Sequence, residues 1–409
     1  MGTNREKGGY EMKRIVQLSV VLLMGLLVLL PAFITPCHSQ PAKEIVIGYL
    51  SELTGFMAPP GIPGMKGAKT MLQLSGSQVN GRPVKLVVED TATEPAQALD
   101  KVRKLVEVDK VCMIIGPVYG GTALAIAPYL DKVQVPNLTV EANWEKMALD
   151  NRWTWIVSGG LIQHNYPVGP FCYDTLGYKT ASVLYPEMSG GPDFYEGFKR
   201  GFTERGGKIV QEQWYPPGTK DFGPYIVSIQ KGQADYVQTF AVGEHVFPEY
   251  AAVRQLGLKK PIVEAPGESA NPSVLKANNG PEGLVVATSY LYTLDTPGNQ
   301  KFVTAYEKEW KELPAHVSGA AASAMQVALE ALKKAGGDTS GQAIAKALGQ
   351  IDMDTVRGHI TMTPDRVGTV SFVIGKVVKG AKGEFTYQIL KRSVVACKKE
   401  GNKLVYFVK

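Results

Sequence analysis

The chain has 409 residues, 44% hydrophobic and 20% charged, the balance of a globular protein long enough for two domains and not of a disordered one. Its formal charge of +6 is mild, and beyond the pairs Lys259-Lys260 and Lys398-Lys399 the basic residues do not cluster, which argues against a nucleic-acid partner. The 44 Gly and 26 Pro suit many short turns between strands and helices.

At the N-terminus, Lys13 and Arg14 precede an uncharged apolar run over residues 15–30, followed by Pro-Ala-Phe-Ile-Thr-Pro-Cys-His-Ser-Gln. This order of charge, apolar stretch and small residues is that of a secretory signal. Met12 is the expected start and Ser39 the expected last residue removed, which makes residues 1–39 a signal peptide and the protein periplasmic. A lipid anchor at Cys37 is the alternative, although Ile34-Thr35-Pro36 is a poor match to the sequence such anchors need. The run is shorter than the roughly 18 to 20 residues that span a bilayer.

Residues 44–53 read as a first strand, followed by Thr54-Gly55, a loop over 56–63, a helix over 64–74, an Asn80-Gly81 turn and a second strand over 83–90. Residues 94–108 place Ala98, Val102, Leu105 and Val106 on one helical face, as a crossover helix would. Residues 111–115 form a continuous apolar run, suited to a parallel strand covered on both faces. Gly116-Pro117 stops it, Gly120-Gly121 permits a tight turn, and Thr122 is placed to cap a helix over 123–130, whose free amides would make an anion-binding corner. A strand over 135–140 then delivers Glu141, Ala142 and Asn143 beside that corner, where open α/β sheets bind ligands. The same stretch also suits an ordinary βαβ unit without a ligand.

The pattern Gly116, Pro117, Gly120, Ala123, Ala125, Ala127 and Pro128 resembles the leucine/isoleucine/valine-binding family of type I periplasmic binding proteins. The resemblance runs from about residue 44 to about 369 and includes the Thr54-Gly55 start and the run Tyr215 to Phe222, Tyr-Pro-Pro-Gly-Thr-Lys-Asp-Phe. It implies an α/β fold of two lobes, each a doubly wound and mostly parallel sheet, joined by a three-strand hinge. Lobe 1 would comprise residues 40–158 and 288–368, and lobe 2 residues 159–287 and 369–409. In lobe 2, helices are expected over 163–176, 193–205, 222–230 and 247–256, with strands over 180–185, 208–215, 236–241 and 261–264. The chain would return over 283–292, run through helices at 302–310, 318–334 and 343–348, and finish with extended segments at 370–378 and 385–395.

The resemblance further implies that a ligand binds between the lobes and that closure buries it. The positions matching the family's carboxylate-holding residues are Gly120, Glu141 and Asn143, with backbone donors at Gly120 and Gly121. The acid that meets an α-amino group aligns with Gly267, and Glu268 stands one residue away. A carboxyl at Glu141 is a poor neighbour for a ligand carboxylate unless it is protonated or meets a cation. Read from the residues themselves, Tyr119, Trp144, Tyr166, Phe194 and Tyr292 lie near strand ends as candidate apolar walls, and Glu244 and His245 are further polar candidates.

Catalytic patterns are weak. Ser273 and Lys276 lack supporting motifs, His245 and Glu249 stand four apart without a metal-site signature, and Gly61, Gly64 and Gly67 do not have the spacing of a dinucleotide loop. No cofactor, metal or nucleotide is expected. Cys112, Cys172 and Cys397 follow no metal-ligand spacing, and Cys112 sits in an apolar strand. The expected function is that of an extracytoplasmic solute-binding protein of an ABC importer, a monomer that captures a small organic molecule (a branched-chain or other amino acid, or an aromatic or carboxylate compound) and delivers it to inner-membrane permease subunits. A sensing module for a signalling partner and a secreted hydrolase are the alternatives.

Overall fold

In a computed structural model, the protein is described over residues 43–408, apart from 142–143, 278–281, 382 and 401–402. The expected signal segment, with Met12, Cys37 and Ser39, lies outside the described residues, as do Ala142 and Asn143. Residues Glu44–Lys409 pack as one unit.

The first sheet is built around β1 (Ile45–Ser51), an apolar run buried on both faces. With β2 (Gln78–Val79), β3 (Arg82–Asp90), β4 (Met113–Ile115), β5 (Asn137–Thr139) and β6 (Thr154–Ile156) it gives the order β2-β3-β1-β4-β5-β6. Every pairing but β2 with β3 is parallel. On one face the helices Pro95–Glu107 and Gly120–Val133 bury Ala98, Val102, Leu105, Ile126 and Leu130 against Leu50 and Ile114. On the other lie the helices Ala58–Leu74 and His316–Lys334. The two helices meet at Gly67, where a β-carbon would stand 2.2 Å from the Ser318 carbonyl oxygen, and the first helix approaches the end of β1 at Gly61, where one would stand 1.9 Å from the Glu52 carbonyl oxygen. The glycine run is therefore a packing stripe.

The second sheet contains β7 (Thr180–Pro186), β8 (Lys208–Tyr215), β9 (Tyr236–Thr239), β10 (Ile262–Glu264) and β11 (Val285–Thr288), all parallel. After a small hairpin of β12 (Asp352–Thr355) and β13 (Gly358–Thr361), the strands β14 (Val370–Lys379), β15 (Phe385–Glu400) and β16 (Lys403–Val408) extend it antiparallel. The order is β16-β15-β14-β11-β10-β9-β7-β8. The chain passes between the sheets three times: after β6, after β11 and before β14. The first and third passages lie side by side, with Ile156 N–H donating to Arg366 O at 2.9 Å and Gly368 N–H to Ile156 O at 2.8 Å.

Several expectations needed correction. The helix expected over 163–176 is broken into Leu161–Asn165, Val168–Pro170 and a π-turn Phe171–Thr175, because Pro167 and Pro170 cannot donate to a helical ladder. The helix expected from residue 64 starts at Ala58, since prolines are tolerated in a first turn. Thr122 is not a cap: the helix begins at Gly120 after Tyr119. Gly67→Val should lower unfolding stability by about 3 kcal/mol through forced separation of two helices. Gly298→Ala, where an added β-carbon meets nothing within 4 Å, should change it by less than about 0.5 kcal/mol, both read by chemical denaturation.

Candidate functional site

The parallel strands of both sheets end at one cleft. In the first sheet, Gly116 turns the chain out of β4 with φ +100°, and a β-carbon there would lie 2.0 Å from Leu50 O, so only glycine allows the exit. The helix Gly120–Val133 then starts with free amides, and a carboxyl of the chain itself sits beside the turn that leads into it. Glu52, fully buried just after β1, accepts from Val118 N–H at 3.1 Å, and the Thr122 hydroxyl lies 2.6 Å from its other oxygen. Burial raises the pKa of this carboxyl above the ordinary range, and those hydrogen bonds oppose the rise.

Beside that corner lies a cavity partly open to solvent. Met57, Val118, Tyr119 and Trp144 wall it from the first sheet's side, and Met188, Phe194, Phe240 and Val242 from the second. Its polar lining is Glu141, Ser189, Glu268 and His316, together with backbone at Gly120 and Gly190. The two sides touch around it. Glu244 N–H donates to Phe56 O at 3.1 Å, Trp144 hydrogen-bonds to Asp193, and a β-carbon on Gly120 would stand 3.0 Å from Ser189 Oγ. This is a closed arrangement.

Glu141 holds a left-handed φ of +63° at the end of the first sheet, and Ser289, on the second passage, donates to it at 3.0 Å. Its charge also acts on a buried guanidinium: Arg357 is 2% exposed, donates to Val157 O at 3.3 Å and to Ser323 Oγ at 3.2 Å, has no hydrogen-bond partner for Nη1 among the described residues, and burial lowers its pKa to about 10 against the pull of Glu141. Burial likewise keeps His316 below its usual range, with Glu141 opposing. Glu268 is different. It is 5% exposed, its Oε1 accepts from Gly243 N–H at 3.4 Å, and its Oε2 has no hydrogen-bond partner among the described residues. Burial pushes its pKa up to about 8, with Glu264 and Glu141 adding to the rise. Behind it, Glu264 is met by Tyr250 Oη at 2.8 Å and Ser269 N–H at 3.1 Å, and Glu249 by Thr239 Oγ1 at 2.6 Å. Burial raises Glu249 to about 8 as well.

Of the residues picked from sequence, Tyr119, Gly120, Glu141, Trp144, Glu268 and the aromatic Phe194 line this cavity. Others stand elsewhere. Gly121 packs on the Tyr119 ring, a β-carbon there falling 2.5 Å from Tyr119 Cε1, and Gly267 faces Val286. Glu244 and His245 line a separate groove with Phe56 and Gly218. There His245 Nε2 accepts from Gly218 N–H at 3.1 Å and its ring meets Tyr215 edge-on, a structural role. Tyr166 bonds Glu204 and Tyr292 bonds Thr386, so neither is a wall. Sequence reasoning missed Glu52, Phe240, Met57, Met188 and His316. The polar run Glu244-His245 drew attention from Phe240, and His316 opens an alanine-rich helix that reads as pure core.

A sequence model of the periplasmic binding protein family matches residues 44–382. The chain belongs to that family. A curated relative, a Leu/Ile/Val-binding protein homolog of Brucella abortus, is 25% identical over 366 residues, covering 87% of this chain and 93% of its own. An ABC transporter substrate-binding protein from Sphaerobacter thermophilus superposes with a TM-score of 0.80 at 28% identity, over 86% of this chain and 98% of that one. A solute binding protein of an ABC transporter from Rhodopseudomonas palustris, solved with 3,4-dihydroxybenzoic acid, shares the fold with a TM-score of 0.80 at 24% identity, over 85% and 97%. The family resemblance read from Gly116 to Pro128 is borne out, and with it the two-lobe α/β fold.

Two predictions follow from the buried acids. Folded-state values near 8 for Glu249 and Glu268, against an ordinary 4.5, mean that their contribution to stability is full below about pH 4.5 and is lost as pH rises through 8. The melting temperature should therefore fall between pH 5 and pH 8.5, and Glu249→Gln should lessen the fall, as a calorimetric pH series would read. Glu141→Ala, which removes the acceptor of the Ser289 hydroxyl and the negative charge that acts on Arg357, should cost about 1 kcal/mol in denaturant unfolding.

Proposed function

We propose that this protein is the solute-capturing component of an ABC importer. It is exported on a cleaved signal peptide, works in the periplasm as a monomer and binds without catalysing. It takes a small organic molecule with a largely apolar body into the cleft and presents the closed form to permease subunits in the inner membrane. The lobes in this reading are residues 40–158 with 288–368, and 159–287 with 369–409. The observation that carries the proposal is the cavity itself, walled from both sheets at their strand ends. A ligand shifts an open and closed equilibrium only by its differential affinity for the two forms, and contacts to both lobes supply that difference. The relatives and the fold neighbours named above support the same role.

The test is a thermal-shift and calorimetric screen of small organic molecules. A ligand at about 100 times its dissociation constant should add about 2.7 kcal/mol, a rise of a few degrees in melting temperature for a chain of this size. Trp144→Ala, removing an aromatic wall that also reaches Asp193 across the cleft, should weaken binding at least about tenfold while the unliganded protein melts within a few degrees of wild type. Unchanged affinity would place the ligand elsewhere.

A further inference from the structure

Behind the turn that walls the cavity from the first sheet's side, the hydrogens do not fit an ionised carboxyl. The Thr122 hydroxyl carries a single hydrogen, yet its Oγ1 lies 2.6 Å from Glu52 Oε1 and 2.8 Å from Tyr119 O. It can donate to only one of these oxygens. With Glu52 as a carboxylate, one of the two contacts is oxygen against oxygen with no hydrogen between them. With a proton on Oε1, both are hydrogen bonds: Glu52 O–H donates to Thr122 Oγ1, and Thr122 O–H donates to Tyr119 O. The remaining oxygen, Oε2, accepts from Val118 N–H at 3.1 Å.

The surroundings favour the neutral form. Glu52 is 0% exposed, and no ion pair reaches it among the described residues. On β1 and at the helix start its titrating neighbours are Tyr49 and Tyr119, whose phenols burial keeps protonated. At the end of β3, Asp90 is turned to the Leu53 and Thr54 amides and the Thr54 hydroxyl. The helix Ala58–Leu74 presents Gly61 to the Glu52 carbonyl, and its Lys66 is paired with Glu312. Burial holds the ring of His316, at the start of the His316–Lys334 helix, below its usual range. A buried carboxyl without a cation keeps its proton. Burial accordingly raises the Glu52 pKa above the ordinary range, and the hydroxyl and amide donors oppose that rise without cancelling it.

We infer that Glu52 is a neutral carboxylic acid and a positioning residue for solute capture: its proton, relayed by Thr122 to the Tyr119 carbonyl, holds the turn from Val118 to Thr122 in the form that lines the cavity. The inference rests on the proposed solute-binding role and adds to it a residue that does not touch the solute. Val118, Tyr119 and Gly120 line the cavity, and Glu52 stands behind them. Loss of the proton turns the Thr122 hydroxyl to Glu52, takes the side-chain donor from the Tyr119 carbonyl and puts a negative charge behind the wall. Glutamine has the shape and the hydrogens to replace the acid, with Nε2–H donating to Thr122 Oγ1 and Oε1 accepting from Val118 N–H. Alanine removes both bonds.

The experiment compares the wild type with Glu52→Gln and Glu52→Ala, and its first readouts need no ligand. The infrared difference between wild type and Glu52→Gln at pH 7 should contain the carbonyl stretch of a protonated carboxyl, shifted in D2O, whereas a difference carrying carboxylate bands alone would overturn the inference. In hydrogen exchange, protection of the Val118 amide should stay within about threefold of wild type in Glu52→Gln and fall at least about tenfold in Glu52→Ala. Glu52→Gln should melt at or above the wild-type temperature, and its advantage should grow with pH, because a raised carboxyl pKa gives stability that is full at low pH and is lost as pH rises through the folded value. A Glu52→Gln protein that exchanges and melts like Glu52→Ala would overturn the neutral acid. Titration calorimetry with leucine and with 4-hydroxybenzoate then reads the positioning role: a solute that binds the wild type should keep its affinity within about twofold in Glu52→Gln and lose at least about tenfold in Glu52→Ala. Equal affinity in all three would overturn that role while leaving solute capture standing. Silence of both solutes on the wild type would remove them from the solute-capture reading, with the infrared band and the exchange of Val118 still deciding Glu52.

Discussion

Arg357 is the constraint on which the rest is arranged. A guanidinium with 2% exposure puts a charge in the interior at a cost in desolvation, and its Nη1 has no hydrogen-bond partner among the described residues. It reaches Val157 on the first passage between the sheets and Ser323 on a helix of the first lobe. Glu141, whose charge opposes the lowering of the Arg357 pKa, takes a bond from Ser289 on the second passage. These two groups thus touch two of the passages between the sheets. Because Glu141 also lines the cavity, the ligand's surroundings and the junction of the lobes share a side chain. Its left-handed φ of +63° is consistent with a residue held in place by its neighbours rather than by local preference.

Against this frame, the parts of the fold legible in sequence are those that depend on local pattern. The apolar runs that became β1, β4 and β10, and the amphipathic face of the helix Pro95–Glu107, announce themselves because burial alone decides them. The hairpin β12–β13 did not, since Asp352-Met-Asp-Thr carries charge where strands ordinarily carry apolar residues, and its order comes from Thr355 bonding the Gly358 carbonyl and Ser323. β16 likewise lies in a short segment that only its neighbour β15 makes into a strand. In the site, Tyr119, Trp144 and Glu268 were found because they adjoin turns at strand ends. Glu52 was not, because its function at the helix start of Val118 to Thr122 is a contact across 66 positions or more of chain. No spacing rule encodes such a contact.

The second sheet shows how a cleft of this kind is made acidic without being made unstable. Glu249, Glu264 and Glu268 sit at the ends of β9 and β10 or on the helix beside them, all 5% exposed or less. Hydroxyl and amide donors from Thr239, Tyr250, Ser269 and Gly243 reach them, which satisfies both oxygens of Glu264 and one of Glu249, whose Oε2 has no partner among the described residues. Glu268, nearest the cavity, is half-satisfied in the same way. Protein interiors pair such groups as a rule, and an exception located at a cavity wall is the place where an outside molecule completes the structure.

The small distance between Gly120 and Ser189 has a wider consequence. Where a β-carbon would stand only 3.0 Å from Ser189 Oγ, the absence of a side chain sets how far one lobe can swing onto the other. Any larger residue at that position would act as a wedge, holding the jaws ajar and reducing the population of the shut form. Affinity in this protein is therefore adjustable from the rim of the cleft, by a residue whose contribution lies in the space it leaves empty.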